Sequence, residues 1–141
     1  MTRFMMTLND SVNLVLHAFE NGKSGDTFIQ KSPATTVGNL ANALKSIFNS
    51  NVAINIIGAR HGEKGHEALC SQEEMAKACE SESYYRIPAD MRDINYNNAI
   101  VDDFSRNILP EEYNSFNTRQ LETDELVKLL LSLDCVQSKL I

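Results

Sequence analysis

Chemistry in this chain of 141 residues gathers in one short stretch, residues 58–67. It holds two bases (Arg60 and Lys64), two acids (Glu63 and Glu67) and two histidines (His61 and His66), punctuated by Gly58, Gly62 and Gly65. Arg60 presents a planar fork of donors suited to a phosphate, a role in which lysine is a poorer substitute. Glu63, acceptor-only when ionised, suits the two hydroxyls of a ribose. Gly62 between them lacks a side chain, so a ligand can lie close to the backbone. A metal reading of His61, Glu63 and His66 meets a spacing that is neither HExxH nor its inverse, on a glycine-bearing loop. A solvated, charged connection is the alternative that needs no ligand. Arg3, Arg86, Arg92 and Arg119 are the other arginines, and several of them converging would make an anion site.

The elements that must position these groups can be read from periodicity. An apolar, β-branched run at 52–57 predicts a strand directly before the charged loop, so that a sheet edge delivers the loop's side chains to the surface. Val12, Val15, Leu16 and Phe19 repeat at helical spacing and predict a helix over 7–21, opened by Thr7 with Asp10 near its positive end and stopped at Gly22. His17 lies on or beside that stripe and reads as a boundary histidine. Residues 27–30 predict a short strand, broken at Pro33. Thr35 or Thr36 opens a second helix with Val37, Leu40, Ala41, Leu44, Ile47 and Phe48 on one face. Ser71 with Glu74 is a capping-box pattern and predicts a helix over 72–79. Residues 84–87 predict a strand ended by Pro88. Residues 89–117 are polar and aperiodic, as in a functional loop or a surface that needs a partner. Thr123 opens a last helix with Leu126, Leu129, Leu130 and Leu133 in register. Val136, Leu140 and Ile141 predict a tail, within 123–141, that docks.

Short strands alternating with helices give an α/β (α+β) class, with about four helices in a single domain over 1–141 and no complete Rossmann sheet. Apolar content of 43% and charged content of 23% are ordinary for a globular chain. The net charge of −6 argues against a nucleic-acid partner. No apolar run is long enough to span a bilayer. Cys70, Cys79 and Cys135 are odd in number and lack CxxC spacing, which fits reduced cytoplasmic thiols. Cys70 reads as a small apolar residue at a helix start. There is no GxGxxG fingerprint, P-loop or serine nucleophile elbow.

The ordered set Thr2-Arg3-Phe4-Met5-Met6-Thr7-Leu8, Gly58-Ala59-Arg60-His61-Gly62-Glu63-Lys64, Tyr84-Tyr85-Arg86-Ile87-Pro88-Ala89-Asp90, Arg92-Asp93, Asn95-Tyr96 and Asn117-Thr118-Arg119 goes beyond composition. It resembles the C-terminal portion of the UDP-N-acetylglucosamine 4,6-dehydratase/5-epimerase family of capsular polysaccharide biosynthesis, which are extended short-chain dehydrogenase/reductases. The resemblance implies that Arg3 and Arg60 grip the UDP diphosphate and that Glu63 takes the uridine ribose hydroxyls. It assigns no catalytic residue and no metal. The family's cofactor half, with its glycine fingerprint and Tyr-x-x-x-Lys pair, falls before Met1 in that correspondence. This chain would then hold no NAD(P) site and would not be active alone. Gly65 and Phe116 depart from the family pattern. The resemblance also implies that the first helix and the strand at 27–30 leave an apolar face and an open edge, covered by homodimerisation or by a separate cofactor-binding subunit. Two readings follow: a UDP-sugar-binding domain, or a non-catalytic self-associating module with a vestigial pocket.

Overall fold

The computed structural model describes residues 1–89 and 110–140. The elements in chain order are β1 (Thr2–Phe4), α1 (Leu8–Asn21), β2 (Thr27–Gln30), β3 (Ala34–Thr36), α2 (Val37–Ile47), β4 (Ala68–Cys70), α3 (Gln72–Met75), β5 (Cys79–Glu80), β6 (Tyr84–Ile87), β7 (Tyr113–Asn114), α4 (Thr123–Leu131) and α5 (Asp134–Gln137). The class is the α/β one expected, with five helices among the described residues and small sheets in place of a Rossmann sheet. The chain divides into two compact units. One is built from residues 1–10, 32–67 and 114–141, the other from 11–31 and 68–113.

The first unit is a helix pair backed by a short ladder. Thr36 caps α2, its hydroxyl accepting from Asn39 N at 3.0 Å. Asn49 stops the helix in the left-handed region at φ 46°, where asparagine is tolerated better than most residues. Helix α4 opens one residue earlier than Thr123 suggests: Glu122 is the cap, its N–H donating to the Glu125 carboxylate at 3.1 Å. Fully buried Ala43 on α2 lets α4 approach, and Leu126 fills the gap with Leu121 and Leu130 around it. Leu40, Leu44, Ile47 and Leu133 close the sides of that core. Val136 of α5 is buried, so the tail docks at that point, while Leu140 stays exposed. Strand β1 runs antiparallel to β3, with Arg3 opposite Thr35. Ala34 has no exposure and accepts from Leu121 N while donating to Arg119 O, each at 2.8 Å. That pairing ties the entry to α4 onto the ladder.

The second unit is the antiparallel sheet β2-β6-β5, with β2 at an edge. His17 stacks on Tyr84 with ring centroids 4.1 Å apart and meets the Phe28 edge at 5.4 Å, which accounts for it as a packed boundary histidine. Gly22 is required by space: a Cβ there would sit 2.5 Å from Ala18 O and 3.2 Å from the Phe28 ring. The Ser71–Glu74 capping box forms as read from the sequence, but α3 closes after Met75 and Cys79 enters β5. Lys31 bridges Glu80 and lies over the Tyr85 ring.

Two further sequence expectations need correction. Residues 52–57 form no strand, and all six are exposed. The run has the right side chains, but a strand exists only through a neighbour's backbone, and none pairs with it among the described residues. The stretch 89–117 is not wholly irregular, because β7 and a tight turn fall at its end. Residues 90–109, with Arg92, lie outside the described residues. Helix α1 forms over the expected span, and its Thr7–Asp10 box closes with Asp10 Oδ2 accepting from Thr7 N at 2.9 Å. Its apolar stripe of Leu8, Val12, Val15, Leu16 and Phe19 is exposed, Phe19 at 84%.

Asp26 contributes to the pH dependence of the second unit. Its carboxylate accepts from Lys23 N at 3.1 Å and Ala89 N at 3.4 Å, with Arg86 at 3.9 Å. The Lys23 bond leads in holding its pKa below the ordinary 3.8, outweighing the opposing effect of desolvation. A lowered folded-state pKa adds stability that is fully present above the unfolded value and lost as pH falls through the folded one. The urea midpoint of the wild type should therefore fall as pH drops below about 5. In Asp26→Asn that slope should be shallower, and the two curves should converge at the acid end.

Candidate functional site

The charged loop is tied to β1 from below. Thr2 N donates to Gly65 O at 2.9 Å. Ser115, with no exposure, completes the junction: its hydroxyl accepts from Glu67 N at 3.0 Å, lies 2.8 Å from Thr2 Oγ1 and donates to Thr2 O at 3.2 Å. Ser115 N donates in turn to Glu67 O at 2.8 Å. One hydroxyl can serve all three partners only if Thr2 Oγ1 donates to it, which uses both lone pairs and its single proton. Segments around residues 2, 66 and 115 are thereby joined at one buried polar point.

Ser115 is held by a turn that is its own scaffold. Asn114 Oδ1 accepts from Phe116 N at 2.8 Å and Asn117 N at 3.0 Å, and Asn117 Oδ1 accepts from Asn114 N at 3.0 Å. Gln120 Nε2 donates to Ser115 O at 2.9 Å. Reading for chemistry passed over Ser115. The signal available was the Asn114-x-x-Asn117 spacing, in which each short amide can bond the backbone of the other.

Arg3 stands on β1 above this junction. Its guanidinium donates to Thr2 O at 2.6 Å and Lys64 O at 3.2 Å, and meets Glu67 at 3.3 Å. Arg3 and the loop are thus brought together. The Arg3–Glu67 pair is half exposed and contributes roughly 0–1 kcal/mol, so it orients the fork more than it stabilises the fold. Arg60 and Glu63 close a four-residue turn: Glu63 N donates to Arg60 O at 3.0 Å and Glu63 Oε2 accepts from Arg60 N at 2.9 Å. Gly62 occupies the third place at φ 90°, a region that L side chains enter with strain. A Cβ at Gly62 would meet nothing within 4 Å, so its requirement there is conformational. Among the described residues the Arg60 guanidinium has no hydrogen-bond or ion-pair partner. Arg119 is paired with Glu125, and in the second unit Arg86 faces Asp26.

No three His, Cys, Asp or Glu among the described residues form a metal-holding cluster, the loop histidines included. Cys70 is buried, and burial first, then the Glu74 charge, pushes its thiol up to about 11, so it stays protonated at neutral pH. The Thr36 hydroxyl accepts from Asn39 N at the start of α2, and the Asp10 carboxylate stands at the start of α1, where its charge disfavours an anion. No described helix is long and apolar enough to cross a membrane.

The family model for polysaccharide biosynthesis proteins matches residues 1–89, and its C-terminal companion matches residues 90–137. The chain belongs to the polysaccharide biosynthesis protein family. A curated relative from Rickettsia rickettsii, UDP-glucose 4-epimerase, is 55% identical over 140 residues, which is 99% of this chain and 41% of the relative. The relative of the same name from Rickettsia bellii shows the same identity and coverage. Among solved structures, Pen from Bacillus thuringiensis superposes with a TM-score of 0.71 at 29% identity, over 94% of this chain and 38% of that one. The chain thus spans about two fifths of the length of these relatives. The resemblance read from the motifs holds at the level of nucleotide-sugar epimerases and dehydratases; the relatives carry the name of a 4-epimerase rather than of a 4,6-dehydratase.

The Ser115 junction can be tested directly. Ser115→Ala leaves Glu67 N and the Thr2 hydroxyl without their shared partner in a buried place, at an expected cost of about 1–3 kcal/mol. Urea denaturation should show that loss, and amide exchange at Glu67 should accelerate.

Proposed function

We propose that this chain supplies the substrate side of a UDP-sugar site in cytoplasmic polysaccharide biosynthesis, capsule included. Arg3 and Arg60 take the diphosphate and Glu63 takes the ribose hydroxyls. The hydride chemistry of such an enzyme needs an NAD(P)-binding half that these residues do not build. What carries this reading is the junction at Thr2, Gly65 and Ser115, which holds the Arg3 strand against the loop bearing Arg60 and Glu63. Arg60's unengaged fork beside the Glu63 turn is the matching electrostatic feature. The named relatives act on a UDP-sugar, and the motifs resemble enzymes acting on UDP-N-acetylglucosamine.

Titration calorimetry with UDP, UDP-glucose and UDP-N-acetylglucosamine tests the site and ranks the sugars. Binding at micromolar to millimolar dissociation constants is expected, weakened about 10-fold or more by Arg60→Ala, since a charged hydrogen bond contributes about 1.5–3 kcal/mol. No heat at millimolar ligand in folded protein overturns the proposal.

The second reading, a self-associating module with a vestigial pocket, is favoured by the exposed stripe on α1. Five large apolar residues on one face invite a second copy, with a two-fold dimer the simplest closure. Sedimentation at micromolar concentration should then show a dimer that Phe19→Glu dissociates and UDP leaves unchanged. A monomer throughout removes this reading.

A further inference from the structure

The Arg3 guanidinium closes a ring with the buried junction beneath it. Its Nη1 donates to Thr2 O at 2.6 Å, and the same carbonyl accepts from Ser115 Oγ at 3.2 Å. Ser115 Oγ accepts in turn from Glu67 N at 3.0 Å, and the Glu67 carboxylate returns to Arg3 Nε at 3.3 Å. Nη2 is fixed separately, donating to Lys64 O at 3.2 Å. A guanidinium has five N–H groups. The two carbonyls take two of them and Nε turns to Glu67, which leaves one N–H on each terminal nitrogen. Among the described residues nothing else meets the fork.

The carbonyls of Thr2 and Lys64 already hold both terminal nitrogens, so the orientation of the fork does not require the charge of Glu67. What Glu67 adds is a half-exposed negative charge beside a cation whose remaining donors face an anion. That carboxylate opposes any anion seated there, and opposes it more for each further charge the anion carries. Repulsion of this kind discriminates between ligands by penalising the wrong one. A nucleotide sugar has a diphosphate esterified at both ends, with about one charge on each phosphorus. UDP and UTP end in a free phosphate, which carries about one charge more at about pH 8.

We infer that Glu67 is a specificity residue, admitting a diphosphate closed by a sugar and disfavouring nucleotides with a free terminal phosphate. This role rests on the UDP-sugar reading of Arg3 and narrows the ligand class within it. Arg60 and Glu63 are the same in wild type and in a Glu67 variant, so their effects cancel when the ranking of ligands is compared between the two.

Titration calorimetry with UDP-glucose, UDP and UTP tests this at about pH 8, in low salt and without divalent cations. Glu67→Gln keeps an oxygen that can accept from Arg3 Nε and leaves the backbone bonds to Ser115 in place, so only the charge is lost. In that variant UDP should gain about 3-fold on UDP-glucose relative to wild type, and UTP more. The gain should vanish as salt rises toward about 1 M. Glu67→Asp keeps the charge and should keep the wild-type ranking. An equal change for all three ligands in Glu67→Gln makes Glu67 a structural support of Arg3 and overturns the inference, as does an unchanged ranking. Folded wild-type protein that binds none of the three overturns the nucleotide reading itself, and the role of Glu67 with it.

Discussion

The structure around the site depends on one buried hydroxyl. Ser115 Oγ, with no solvent contact, bonds Glu67 N and the hydroxyl and carbonyl of Thr2. A buried polar group without partners costs about 1–3 kcal/mol, so three segments far apart in the chain must meet there together. Their meeting places Arg3 of β1 over the backbone of Lys64 and beside Glu67. The charged loop is exposed and carries little packing of its own. Its backbone is positioned by Thr2 and Ser115, and its Arg60–Glu63 turn by the conformation of Gly62.

Packing and chemistry are divided between different residues. The α2–α4 core is built from Ala43, Leu126, Leu121 and Leu130 and contains no group able to react. Ala34 links that core to the β1–β3 ladder through its bonds to Arg119 and Leu121. The ladder in turn carries Arg3. Rigid helices, a short ladder and an exposed turn form a chain of support whose last link bears the unengaged Arg60 guanidinium. The cysteines stand outside it: Cys70 is protonated by burial, and Cys79 and Cys135 are exposed and free.

The exposed apolar surfaces have two forms with different physical meanings. The α1 stripe is a finished helix face whose backbone bonds are satisfied within the helix, so any apolar partner surface can cover it. Residues 52–57 are unfinished, because their backbone as well as their side chains lacks a partner among the described residues. A helix can exist before its partner arrives, since its hydrogen bonds are local. A strand cannot.

That difference separates what was legible in the sequence. Local signals gave local structure: the Thr36 cap, the Ser71–Glu74 box, the Thr7–Asp10 box and the strands at 27–30 and 84–87 fall where their residues predicted. The motifs reached the family at the level of nucleotide-sugar epimerases and dehydratases, and single residue types suggested the chemistry that Arg3, Arg60 and Glu63 could do. Tertiary structure alone decided that Ser115 meets Thr2, 113 residues away, because no local pattern encodes which buried hydroxyl answers which backbone group. It also decided that 52–57 would stay unpaired, since β-branched side chains fix a preference for extension while the ladder itself belongs to whichever backbone lies alongside.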